Sequence, residues 1–402
     1  MAPPASPPTA RADALRVSLA ALLALAVAMG IGRFAFTPLL PLMQREGLLD
    51  GDGGAALAAV NYLGYFAGAL SAAALARRPR RLVLGGLLAT AAVTAGAGAL
   101  HGLPAWLVLR GLAGVFSAWV MVGISIWALG ELARLGRASL GGVVFAGVGC
   151  GIAAAGALAW WRAADGAAAL WWQLGALALA ATAVIAACWR PGAAASVATP
   201  PPPRAPLPRG STGLIACYAT FGFAYILPAT YLPALARELV DDPQRFGLAW
   251  PVFGLAAAAS TLLAARALRR WRQLDVWAAC HLLLAAGCAA PLLGRSPWLI
   301  GFAALAVGGS FMVATMAGLQ QARLLAPAHP APLLGRMTAA FALGQIAGPL
   351  VALAWSRAPL PGRTGIESTL LLAALLLVAS AGWLRFKQES PHVRTDPLAA
   401  PR

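Results

Sequence analysis

The sequence predicts an all-α membrane protein of 12 transmembrane helices, arranged as two parallel six-helix repeats. Three observations carry this expectation. The 402 residues are 60% hydrophobic and only 11% charged, where soluble domains carry about a quarter charged residues. Too few charges remain to coat a globular surface, so much of the chain must face lipid. Twelve apolar runs approach the ~20 residues that cross a bilayer. Short motifs also recur between the first six runs and the last six at nearly one offset.

The runs span 15–43, 55–76, 82–100, 105–130, 140–161, 168–189, 212–236, 247–267, 275–293, 298–320, 334–356 and 368–385. The Pro/Ala-rich opening, 1–14, is expected to be a disordered cytoplasmic tail. The run behind it is too long for a signal-peptide core and lacks a small-residue cleavage site, so it stays as a membrane helix. The longest connector, 190–211, includes "ATPPPPRAPLPRG" and suits an extended cytoplasmic linker. It separates an N-terminal bundle, 15–189, from a C-terminal bundle, 212–385, with a cytoplasmic tail at 386–402.

The net charge of +17 does not point to nucleic acid, because the basic residues sit in short connectors between apolar runs. Twenty-one of the 30 fall on the side of the termini, among them Arg77, Arg78, Arg80 and Arg81, and seven on the other. That bias places both termini in the cytoplasm, as in a multi-pass protein of a bacterial inner membrane. The five cysteines, Cys150, Cys188, Cys217, Cys280 and Cys288, show no metal-ligand spacing and read as small core residues.

"GIGRFAFTPLLP" (30–41) aligns with "GFAYILPATYLP" (222–233) at an offset of 192. "GVFSAWVMVG" (114–123) aligns with "GSFMVATMAG" (309–318), and "FAGVG" (145–149) with "FALGQ" (341–345), at offsets of 195 and 196. Six spans per half make the repeats parallel, as in major facilitator transporters. Over nearly its full length the chain resembles the major facilitator superfamily (MFS). The patches "MGIGRFAFTPLLPLM", "NYLGYFAGAL", "GFAYILPATYLPALA", "GGSFMVATMAGLQQAR" and "MTAAFALGQIAGPL" resemble its YbfB/YjiJ-like branch.

The resemblance implies a charge-coupling role for Arg110 and Gly114 of "LRGLAG", and an antiporter-type Gly/Pro motif at Gly344, Gly348 and Pro349. The fifth-run counterpart Gly147, Gly149 and Gly151 lacks the proline. The loop "ARRPRR" (76–81) lacks the aspartate of the family's gating motif.

Arg33 and Arg110 are the two arginines placed well inside spans. A guanidinium stays charged there and reads as a functional group in a wet cavity, or as a snorkelling or backbone-bonded one. None of the 13 acidic residues joins them, so an anionic group on the solute is the expected partner. Tyr62, Tyr65, Tyr225, Thr230, Trp119, Met312 and Gln345 are further solute-binding candidates, with Asn61, Ser125 and Thr315 as candidate lining residues. His281 is a candidate proton carrier, although a lone helix histidine is more often structural. Gly64, Gly68, Gly344 and Gly348 permit close helix contact and are expected to smooth the rocking of the bundles. Pro38, Pro41, Pro228 and Pro233 are expected to bend the first and seventh spans toward a central path.

The expected function is secondary transport of a small organic solute, anionic in charge type, by alternating access. The bilayer and a coupling ion such as H+ are its other partners, and a monomer is the expected state. No metal, cofactor or nucleic acid is called for. Efflux of hydrophobic compounds is the alternative within transport. A membrane-embedded enzyme would need convergent His, Asp, Glu or Ser that the sequence does not show, and a non-transporting sensor is the third reading.

Overall fold

The computed structural model describes residues 8–75, 78–189, 207–239, 247–294, 296–327, 331–358 and 361–389. The expected linker and C-terminal tail fall largely outside these residues, as do Ala76 and Arg77 of the basic loop.

The first pass is broken in three. Helix α1 (Pro8–Leu25) leads into a π-helical stretch (Ala26–Phe34), and α2 (Phe36–Arg45) completes the crossing. Helix α1 starts inside the segment expected to be disordered. Ala10, Ala12, Ala14 and Leu15 are strong helix formers, and Pro8 tolerates the first helical position. The register changes where Gly30 and Gly32 remove side-chain bulk and Pro38 has no N–H to return to the preceding turn.

Among the described residues eleven further α-helices follow: α3 (Gly51–Leu75), α4 (Pro79–Ala99), α5 (Leu103–Arg134), α6 (Gly141–Trp161), α7 (Ala167–Cys188), α8 (Ser211–Leu239), α9 (Ala249–Arg270), α10 (Gln273–Ala289), α11 (Pro297–Leu325), α12 (Ala331–Arg357) and α13 (Gly365–Glu389). Among the described residues, eleven passes are long and apolar enough to cross a membrane, and α9 holds a further apolar stretch over Ala249–Ala264. Among the described residues there is no strand. Helices α8 and α12 continue through Pro228 and Pro349, so the marked break belongs to the first pass alone. Pro233 lies in α8, with its side chain outside the described set.

Packing follows the internal repeat. In the first half α3 lies on α5, α4 on α7, and α6 on the first pass; in the second, α9 lies on α11, α10 on α13, and α12 on α8. The halves meet along α6–α9 and along α3–α12, two seams related by the same repeat, with α2 also touching α8.

The α6–α9 seam is built of backbone. A Cβ on Gly149 would lie 2.3 Å from the Ala258 nitrogen, and one on Gly254 would lie 2.3 Å from that of Ala153. Gly156 meets Trp250 and Pro251 in the same way. Gly147 and Gly151 point elsewhere, onto Leu22 and Ala26 of the first pass.

The glycines expected to smooth the rocking motion serve a different contact. Gly64 and Gly68 abut Gly111 and Val115 of α5, and Gly114 abuts Asn61 of α3. Gly344 and Gly348 abut Ala219 and Phe223 of α8. All five fasten helices within a half. Four-residue spacing makes one helix face flat but does not say which neighbour the flat face meets.

A Gly254→Val substitution is expected to overpack the α6–α9 seam at a cost of about 1–3 kcal/mol. Thermal unfolding in detergent reads this as a lower midpoint, whereas Gly301→Val, with open space around its Cβ position, is expected to leave it unchanged.

Candidate solute-binding site

The broken first pass sets the geometry of the interior. Arg110 reaches from α5 to the end of the π-helical stretch, where Nη1 donates to the Gly32 carbonyl at 3.2 Å and Nη2 to the Arg33 carbonyl at 3.0 Å. Carbonyls at a change of helical register lack their usual partners, and a buried one left unpaired is costly. The Arg110 guanidinium supplies both bonds and lies 4.7 Å from the Phe36 ring centre. Asn61 of α3 secures α5 at the same level by donating to the Arg110 carbonyl at 2.9 Å. Arg110 is thus engaged in holding the first pass, the backbone-bonded role rather than that of a free charge in a wet cavity.

Arg33 is presented by that pass toward the second half. Its Nη2 donates to Oε1 of Gln345 on α12 at 2.6 Å, and Nε2 of Gln345 donates to the hydroxyl of Tyr225 on α8. The guanidinium carbon lies 4.1 Å from the Tyr65 ring centre and 5.4 Å from those of Tyr62 and Phe34, a cation–π enclosure. Tyr62 bridges the halves a second time through its hydroxyl and that of Thr230, 2.8 Å apart. Arg33, Arg110, Tyr62, Tyr65, Tyr225, Thr230 and Gln345 therefore form one constellation around a single level of the bundle.

Neither arginine faces water in this conformation: Arg33 is 3% exposed and Arg110 6%. The wet cavity expected around them is closed by aromatic rings. Phe34 packs on Trp250, Trp250 stacks on Phe253, Phe253 on Phe311, and Phe311 on Tyr225. Phe341 covers the Tyr225 ring as well. Among the described residues neither arginine has a carboxylate partner; ion pairs such as Arg134–Glu131 and Arg162–Asp165 lie elsewhere, near helix ends. Four buried polar atoms here lack a hydrogen bond: Nε of Arg33, Nε of Arg110, Oδ1 of Asn61 and Nε1 of Trp250.

Other candidates lie apart from this cluster. Trp119 donates to Ser71 at 2.9 Å, and Met312 is buried beside Phe311 on α11. Ser125 and Thr315 bond the carbonyls of their own helix. Pro38 and Pro41 line a cavity of about 50 Å³ with Arg45, Gly156, Trp160 and Trp250, between α2, α6 and α9. The His281 Nε2 accepts from the Trp277 indole N–H at 2.8 Å, and Nδ1 lies 3.0 Å from the Ser380 hydroxyl. An indole N–H only donates, so the imidazole is neutral and both its nitrogens are engaged, as a structural histidine requires.

Phe34 and Phe36 follow Arg33 in the sequence and could have been read as ring partners of the buried cations, as Phe34 is of Arg33 and Phe36 of Arg110. Trp250, Phe253, Phe311 and Phe341 carried no such signal, because a buried aromatic ring looks the same in sequence wherever it points.

The family model of the uncharacterised MFS-type transporter YbfB matches residues 25–385. The chain belongs to this YbfB family. It is an MFS transporter and not an enzyme. The solved structure of a point mutant of the nucleoside transporter NupG is similar to it with a TM-score of 0.71 and 12% identity, covering 93% of this chain and 99% of that one. At such identity the likeness shows the shared fold alone. No curated protein matches the chain.

Arg110→Gln in this YbfB-family chain is expected to strand two buried carbonyls and lower stability by about 1.5–3 kcal/mol, visible as a reduced unfolding midpoint. His281→Gln is expected to keep both the transport rate and its pH profile, since a structural histidine moves no protons; transport measured across a pH series checks this.

Proposed function

We propose that the protein is a secondary transporter for a small organic solute bearing an anionic group, which binds at Arg33. The observation that carries this reading is a buried guanidinium, a charged group, that bonds a neutral amide and has no carboxylate partner among the described residues. A cation in a low-dielectric interior is stabilised strongly by an arriving anion. Arg110 supports the site by holding the backbone that presents Arg33. Tyr62, Tyr65, Tyr225 and Thr230 supply aromatic surface and hydroxyls for the body of the solute.

The arginine distribution supports cytoplasmic termini in a bacterial inner membrane. On that orientation the bridges between halves, Arg33–Gln345, Tyr62–Thr230 and Phe34–Trp250, lie from mid-membrane toward the periplasmic face. The conformation is then one closed to the periplasm, as alternating access by a monomer requires at one stage of its cycle. A coupling ion such as H+ is part of the proposal, with no carboxylate beside Arg33 among the described residues to carry it.

Efflux of hydrophobic compounds is the second reading, favoured by the continuous aromatic wall from Phe34 to Phe341. Thermal unfolding of the purified protein with benzoate, succinate and neutral benzamide separates the two. Stabilisation by the carboxylates, reduced at least about tenfold in apparent affinity by Arg33→Gln, is expected for the anion site. Equal stabilisation by benzamide, or carboxylate binding untouched in the Arg33→Gln variant, overturns it.

A further inference from the structure

The two seams between the halves are repeat-related, yet chemically unlike. On α6 the position equivalent to Gln345 is Gly149, by the match of "FAGVG" to "FALGQ". Gly149 lets two backbones touch at the α6–α9 seam. At the matching level of α12, Gln345 is fully buried and bonds to Arg33 of the first pass, in the other half. It also bonds to Tyr225, which is the repeat counterpart of Arg33. One amide therefore joins two symmetry-related positions, and does so with opposite ends: oxygen toward the cation, nitrogen toward the phenol.

The chemistry of that amide is suited to being displaced. An apolar side chain would leave the Arg33 Nη2 unpaired, at high cost in a buried site. A carboxylate would neutralise the cation permanently. An amide oxygen satisfies the hydrogen bond and leaves the positive charge uncompensated, so an anion forms a stronger bond to the same nitrogen. Because Gln345 and Arg33 belong to different halves, exchanging the amide for a solute also removes a bond that joins the halves, between the first pass and α12.

We propose that Gln345 is a positioning residue that stands in for the solute's anionic group on Arg33, so that an arriving anion unfastens the two halves. This rests on the anion site at Arg33 described above. It makes Gln345 the residue that ties solute charge to opening: the neutral amide sets the preference for anions, and its displacement sets the closed state free.

Spin labels at Leu48→Cys and Leu248→Cys test this in the reconstituted full chain, with the five native cysteines replaced. Both positions are exposed, at 37% and 43%, in loops of different halves on the face where the bridges lie. Without any solute, Gln345→Leu is expected to lower the ratio of short to long distances about tenfold. Gln345→Glu is expected to raise that ratio, to keep an unfolding midpoint no lower than that of the parent, and to abolish the response to benzoate and succinate.

Unshifted distances in both variants, or a Gln345→Glu protein that still answers carboxylates like its parent, overturn the assignment. If Gln345→Glu does not fold, an unshifted distribution in Gln345→Leu overturns it alone. The two readings fail separately: the Arg33→Gln binding measurement addresses the anion site, and the solute-free distances address Gln345. Shifted distances with no carboxylate response in the parent would leave a fastening between halves and overturn its role as an anion's stand-in.

Discussion

A permanent cation held at the interior of a membrane protein without a counter-ion is the constraint on which the rest of the structure depends. A guanidinium is a cation by nature, and the described interior offers Arg33 no carboxylate. Its charge is tolerated through tyrosine and phenylalanine faces, one amide oxygen and the backbone geometry of a π-helical pass. Each of these is a weaker partner than an anion. The arrangement is stable enough to fold and leaves a large share of the electrostatic attraction unused.

The two arginines divide the work. Arg110 commits its terminal nitrogens to carbonyls of the first pass, so its contribution is to backbone order. Arg33 has one terminal nitrogen on a replaceable partner and an Nε with none. Sequence spacing places both well inside spans and cannot tell these roles apart. The difference arises because the π-helical stretch changes which carbonyls need donors, and only the side chain beneath it can supply them.

Asymmetry between the repeats concentrates the polar bridges on one side of the bundle. Glycines bring α6 and α9 into backbone contact, a rigid and neutral junction. On the repeat-related side, Gln345 of α12 bonds Arg33 of the first pass, and Tyr62 of α3 meets Thr230 of α8, so that side joins the halves through side-chain hydrogen bonds. A junction of small residues suits a pivot, and one of exchangeable hydrogen bonds suits a contact that breaks. Duplication supplied two copies of one helix arrangement, and substitution at a few positions made them mechanically different.

Composition, run length and the recurring motifs determined the membrane class, the twelve passes and the parallel halves, because lipid forces continuous apolar helices and a repeat is visible in linear order. The buried arginines were legible for the same reason: a charge in an apolar run stands out. The tertiary structure alone decided which glycines face the seam and which fasten a single half, since a flat helix face is common to both. It also decided that the first pass carries a π-helical stretch, that Arg110 serves the backbone, and that the interior around Arg33 is packed with rings. Those outcomes depend on the rotation of each helix about its axis and on which half lies opposite, and neither is encoded in the spacing of residues along one chain.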